Sequence, residues 1–160
     1  MATLSVTHTE SLTLNGRDLG TTITYDLGSI SNAYSRIYSV PANQDTSLVI
    51  FDDLSVTDDD GVSPGALEVD TVKYLRVTNL DSSNAINLCF TLRANDGDAA
   101  FAINSVQLPA GQSYILGGAL TTLGVDDDSG TPAYNFSQIE EIVADSGSAD
   151  IDVEVFIANT

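Results

Sequence analysis

The stretch Val72 to Phe90, VKYLRVTNLDSSNAINLCF, decides the fold. Leu75 and Val77 point one way, and Tyr74, Arg76 and Thr78 point the other. Ile86, Leu88 and Phe90 then share one face, with Asn87, Cys89 and Thr91 on the opposite face. Apolar residues at a period of two mark a strand buried on one side, because successive Cβ atoms alternate across the pleat. Asn79 to Asn84 between the two runs is a cluster of Asn, Asp and Ser, which is turn chemistry. The stretch therefore predicts a hairpin.

The pattern returns at Ile139 to Ala158, IEEIVADSGSADIDVEVFIA. Ile139, Ile142 and Ala144 repeat the spacing of Val72, Leu75 and Val77. Ile151, Val153, Val155 and Ile157 repeat that of Ile86, Leu88, Phe90 and Leu92. Three aspartates and a proline precede each unit, Asp58-Asp59-Asp60 with Pro64 and Asp126-Asp127-Asp128 with Pro132. This reads as a degenerate internal repeat. Ordinary sandwich hairpins would produce much of it as well, and the fold expectation is the same either way.

Outward from this stretch the chain keeps the same grammar. Leu4, Val6 and His8 share a face in a weakly alternating segment, and Asn15-Gly16 is a tight-turn signal. Thr21 to Leu27 reads as a strand with Ile23, Tyr25 and Leu27 inward. Tyr34 to Val40 is another, ended by Pro41, which has no N–H to give. Ser47 to Phe51 is a short continuous apolar run, as in a central sandwich strand. Phe101, Ile103, Val106 and Leu108 slip in phase, which predicts a β-bulge near Asn104-Ser105. About ten short antiparallel strands with negligible helix predict an all-β, jelly-roll-like sandwich over residues 1–160, with residues 1–9 as an N-terminal arm.

Composition narrows the function. Twenty-three acids face five bases, a net charge of −18. Nucleic-acid binding needs a basic footprint, so that class is excluded, and an anionic membrane surface is disfavoured for the same reason. No stretch approaches the 18 or so apolar residues of a membrane span, and residues 1–20 carry no basic, apolar leader pattern. The expectation is a protein made in a cytoplasm and not secreted by a leader. Cys89 is the only cysteine, so no internal disulfide can form, and its place beside Phe90 suits a small hydrophobe.

Chemistry finds little to stand on. His8 is the only histidine, and no nucleophile elbow, phosphate loop or dinucleotide fingerprint is present. No catalytic, cofactor or metal residue is assigned, and no enzyme is expected. Asp58 to Gly61, Asn95 to Asp98 and Asp126 to Gly130 offer hard oxygen ligands for Ca2+. None has a calcium-loop spacing, so they read first as acidic turns on a solvated surface. The six tyrosines, Tyr25, Tyr34, Tyr38, Tyr74, Tyr114 and Tyr134, are scattered singly and suit core or interface packing better than a glycan groove.

Val6 to Gly16, Arg36 to Pro41, Leu75 to Asp81, Gln107 to Ser113, Ile142 to Asp145 and Val153 to Ile157 together carry a resemblance. The chain resembles small β-sandwich virion structural proteins of tailed phages, especially those of marine cyanobacterial phages. The resemblance covers most of the chain, and its strand-and-turn motifs carry no catalytic residue. It implies a non-enzymatic building block of the virion, a head decoration (cement) protein bound to the major capsid protein, as a homo-oligomer with a trimer favoured. A tail or neck component is the rival within that family. A carbohydrate- or receptor-binding module is the rival outside it.

Overall fold

The computed structural model describes residues 1–52, 67–68, 71–93, 101–117 and 139–160. Thirteen strands make up the described residues and no α-helix occurs among them. In chain order they are β1 (Ala2–Glu10), β2 (Thr13–Leu14), β3 (Arg17–Asp18), β4 (Thr21–Ile30), β5 (Asn32–Val40), β6 (Asp45–Asp52), β7 (Leu67–Glu68), β8 (Val72–Asn79), β9 (Ile86–Arg93), β10 (Phe101–Leu108), β11 (Ser113–Gly117), β12 (Ile139–Asp145) and β13 (Ile151–Asn159).

Two sheets face each other. One runs β11-β8-β13-β5, the other β10-β9-β12-β6-β7. Apart from the short parallel β6–β7 pair, every pairing is antiparallel. The pairs nest: β5 with β13, β6 with β12, β8 with β11, β9 with β10. A chain that folds back on itself in this first-to-last order, then rolls into two sheets, is a jelly roll.

Both repeated units are therefore something other than hairpins. β8 and β9 lie in opposite sheets, and so do β12 and β13. Each unit crosses over the core as an arch, and the two arches interlock, β8 beside β13 and β9 beside β12. Period-two alternation says that one face of each strand is buried. It does not say whether the next strand pairs alongside or crosses to the facing sheet. Here the apolar faces of both strands meet across the core, where Leu75, Val77, Ile86, Leu88, Phe90, Ile142, Ile151, Val153, Val155 and Ile157 are fully buried. Burial stabilises by about 1.5–3 kcal/mol for each such side chain.

Two further expectations are corrected. β10 pairs with β9 in unbroken register from Phe101↔Arg93 to Leu108↔Ile86, so no bulge lies at Asn104-Ser105. The phase slip is resolved by leaving Ile103 67% exposed on the outer face. A bulge does occur in β6: Ile142 faces Val49 and Val143 faces Ser47, which leaves Leu48 as the extra residue. Leu48 and Val49 are both buried as a result.

One end of the sandwich is tied by short loops. Asn43 N–H donates to Gly147 O (2.5 Å), Ser146 Oγ to Pro41 O (2.9 Å) and Ala42 N–H to Asp150 Oδ1 (2.8 Å). Beside them Asn79, buried completely, anchors the first arch. Its amide donates to Asn84 O (2.9 Å) and Leu108 O (3.2 Å), and its Oδ1 accepts from Asp81 N–H (3.0 Å). The N-terminal strands leave from the other end, where Ser31 N–H bonds Asn159 O.

Candidate functional site

Residues 2–30 form a β-ribbon whose strands pair with neither sheet. β1 pairs only with β4, from Ala2↔Ile30 to Glu10↔Thr21. β2 and β3 continue it to the tip, Leu14↔Arg17. The tip residues Asn15 (φ 52°) and Gly16 (φ 73°) both take positive φ, the two-residue hairpin turn that Asn-Gly favours. Below the tip Leu19 N–H bonds Leu12 O (2.7 Å) and Gly20 N–H bonds Asp18 Oδ1 (2.9 Å). A Cβ at Gly20 would run into the Glu10 carbonyl, so this closure needs glycine.

The ribbon's two faces differ. One carries Leu4/Leu27, Val6/Tyr25, His8/Ile23 and Glu10/Thr21; the other carries Ser5/Asp26, Thr7/Thr24 and Thr9/Thr22. The lower half of the apolar face is covered: Leu4, Val6, Tyr25, Leu27 and Ile30 pack with Tyr74, Ile115, Phe156 and Ala158 on the outer face of the four-stranded sheet. Arg76 lies beside this cluster, its guanidinium 5.6 Å from the Phe156 ring centre and 2.7 Å from Glu154 Oε2. Burial pushes the Tyr74 phenol up.

Beyond Tyr25 the cover stops. From Thr7 to Thr24 every residue is exposed except Gly20, which is half-buried. The apolar side chains are not spared: Leu12 is 52% exposed, Leu14 54%, Leu19 55% and Ile23 58%. Ile23, expected to point inward, instead lies past the sandwich rim. Thr7 and Thr24 hydroxyls meet at 3.1 Å, and Thr22 donates to Thr9 at 3.4 Å. His8 stacks on Tyr25, ring centres 5.9 Å apart, with Nε2 3.4 Å from the phenol oxygen.

A second feature lies at the open flank between β5 and β6. Tyr34, Arg36 and Tyr38 of β5, with Leu48, Ile50 and Leu67, line a cleft of about 270 Å³. The two phenols bond each other at 2.7 Å, and the Arg36 guanidinium sits 4.9 Å from the Tyr38 ring centre. Burial, then the bond to Tyr34, pushes Tyr38 up to about 12. The hydrogen bond to Tyr34 in turn raises Arg36.

The remaining candidates are placed as follows. Asp81, Asp150 and Asp152 share a third hollow, but each has partners within the fold. Asp81 Oδ1 accepts from Ser83 and Asn84 N–H, both at 2.7 Å, which lowers its carboxyl. Asp150 caps Ala42 N–H, and Asp152 accepts from Ser39 Oγ at 2.6 Å. Asp58 to Gly61, Asn95 to Asp98, Asp126 to Gly130 and Tyr134 lie outside the described residues. Among the described residues no three His, Cys, Asp or Glu side chains converge as metal ligands. Cys89 is half-buried, with Sγ 3.3 Å from Ser105 Oγ. Tyr114 packs beside Phe90, ring centres 5.2 Å apart.

Sequence reading missed the extent of the ribbon and the grouping of Tyr34, Arg36 and Tyr38. The signals were present. Alternating runs flank Asn15-Gly16, and the spacing Tyr-x-Arg-x-Tyr puts three side chains on one strand face.

No family model matches the chain, and no curated protein matches it. Among solved structures it is similar to a chain from the Bacillus endospore appendages described as disulfide-linked pili, at 9% identity and a TM-score of 0.41, over 83% of this chain and 91% of that one. It is also similar to the family 11 carbohydrate-binding module of Clostridium thermocellum, at 13% identity and a TM-score of 0.29, over 99% of this chain and 87% of that one. Likeness at this level carries nothing about function.

Proposed function

We propose that this chain is a non-enzymatic structural subunit that works by docking, and that it serves as a virion decoration protein on a lattice of major capsid protein. One observation carries the docking reading: an ordered β-ribbon, exposed from Thr7 to Thr24, that presents Leu12, Leu14, Leu19 and Ile23 to solvent. A two-stranded ribbon has marginal stability alone in water, and exposed apolar surface on it is what a partner covers. The jelly roll supplies a rigid body behind the ribbon. The acidic surface keeps that body soluble until it docks. The virion assignment rests on the sequence resemblance.

The test is cryo-electron microscopy of the particle that carries the chain, with its copy number. Hundreds of copies over the head support decoration. A few dozen or fewer at the neck or tail move the assignment to a tail component. Absence from the particle overturns the virion reading.

A second reading is favoured by the Tyr34–Arg36–Tyr38 cleft, where aromatic faces and a guanidinium meet at an open flank. This is chemistry that a carbohydrate-binding module uses. A glycan array with no hit on the purified protein removes it. A hit lost in Tyr38→Ala would establish it.

A further inference from the structure

We propose that the cleft at the open flank takes one sugar ring that carries a carboxylate, a hexuronate, with Arg36 as the group that holds the charge. This names the ligand class of the cleft in the second reading above and rests on that reading.

The first argument is the place of Arg36. Tyr34, Arg36, Tyr38 and Val40 alternate onto one face of β5, the inward face: Val40 is buried and both tyrosines pack against the core. Stability alone would put an apolar side chain between the tyrosines. The residue there is an arginine, and it is exposed. The tyrosines are four residues apart, about 13 Å along a strand at 3.3 Å per residue, yet their hydroxyls meet at 2.7 Å. Both rings therefore lean in towards Arg36, whose guanidinium lies 4.9 Å from the Tyr38 ring centre. Side chains already ordered in this way lower the cost of binding.

The second argument is the opposite wall. The bulge in β6 puts an extra residue, Leu48, into the strand. Consecutive residues from Ser47 to Ile50 line the cleft, where an unbroken pleat would turn every second one away.

The third argument is the combined chemistry. A guanidinium offers planar N–H pairs that match a carboxylate. The phenol pair uses one of its two O–H groups in the mutual bond, so one donor and spare lone pairs serve a sugar hydroxyl. Leu48, Ile50 and Leu67 suit the C–H face of the ring. A hexuronate carries all three features on one ring. A phosphate or sulfate offers charge alone and leaves the apolar wall wet, and a neutral sugar leaves Arg36 without a counter-charge. Among the described residues Arg36 has no carboxylate partner; the ion pair there joins Arg76 to Glu154. The net charge of −18 opposes anions from afar, but physiological salt screens that repulsion beyond about 8 Å, and the Arg36 contact acts at hydrogen-bond distance. At about 270 Å³ the cleft lies just below the roughly 300–1,000 Å³ of drug-sized sites, which is room for one ring.

The experiment is an NMR titration of the isotope-labelled full chain with glucuronate, glucose and acetate in turn. Glucuronate is expected to shift the signals around Arg36 and to bind at least about tenfold tighter than glucose or acetate, since each control lacks either the charge-assisted pair or the ring contacts. Arg36→Gln changes an exposed side chain, and an unchanged spectrum away from the cleft checks its fold. It is expected to bring glucuronate down to the level of glucose and to leave glucose as it was. Glucuronate and glucose bound equally, or glucuronate binding that survives Arg36→Gln, overturns the proposal and leaves the carbohydrate reading standing. Acetate bound as tightly as glucuronate makes the cleft a plain carboxylate site and overturns both. No response to glucuronate at about 10 mM overturns the proposal, and the glycan array then decides the carbohydrate reading by itself.

Discussion

Replacing Asn79 by Leu is expected to be among the most destabilising single changes in the chain, although Leu is a common core residue. Asn79 is 0% exposed, and its side chain makes three hydrogen bonds that tie the first arch to the end of β10. Leu keeps the branched skeleton and removes all three. Leu108 O is left buried without that donor, which costs about 1–3 kcal/mol. The partners at Asn84 O and Asp81 N–H are half in solvent, so each loss is worth about 0.5–1.5 kcal/mol. The sum is about 2–6 kcal/mol. For a domain of this length it lowers Tm by roughly 4–24 °C. Urea unfolding followed by circular dichroism measures it, with an unchanged m-value as the check that only the folded state changed. Asn79→Asp keeps the acceptor and places a carboxylate against two carbonyl oxygens. Its carboxyl is raised in the folded state, so the variant is expected to regain stability as pH falls through that raised value. A loss below about 1 kcal/mol for Asn79→Leu would refute the reasoning, since it would mean that water or a relaxed loop satisfies the same groups.

Gly117→Ala is expected to cost about 2–3 kcal/mol by the same urea assay, because φ is +119° and a Cβ would lie 2.6 Å from Lys73 O and 2.7 Å from Tyr74 Cα. Asp81→Asn tests the turn: the Asp81 carboxyl is lowered by its two backbone donors, so its contribution is present above the ordinary carboxylate value and lost as pH falls through the lowered one. The melting temperatures of variant and wild type should differ at neutral pH and converge in acid. Tyr38 should ionise near pH 12 in an ultraviolet titration, and Tyr34→Phe should lower that value without returning it to 10, because burial is the larger cause. The stability from neutral Tyr38 is full below pH 10 and is lost as pH rises from there towards 12, which alkaline unfolding curves of the two proteins would show.

Much of the fold was legible from the residues. Leu75, Val77, Ile86, Leu88 and Phe90 were assigned inward by alternation alone, and all are fully buried. The Asn-Gly turn, the stop at Pro41 and the all-β class follow from local chemistry in the same way. The arches were not legible, because a polar turn of six residues serves a hairpin or a crossing equally well. Ile103 misled for a related reason. Its size argues for burial, yet its register opposite Thr91 leaves it outside. The candidate site was legible only in pieces: Asn15-Gly16 announced a hairpin, and nothing local said that this hairpin would leave the body.

By itself the sequence determined the all-β class, the inward faces of β8 and β9, the stop at Pro41 and a net charge of −18. These are properties of period, turn chemistry and net charge, each contained in a few neighbouring residues or in a sum. The tertiary structure decided which sheet each strand joins, that the Asn79 amide reaches Leu108 O, 29 residues along the chain, and that Thr7 to Thr24 are exposed apart from Gly20. Those outcomes depend on pairings between strands as far apart as β5 and β13, and such pairings compete over the whole chain before any one of them is settled.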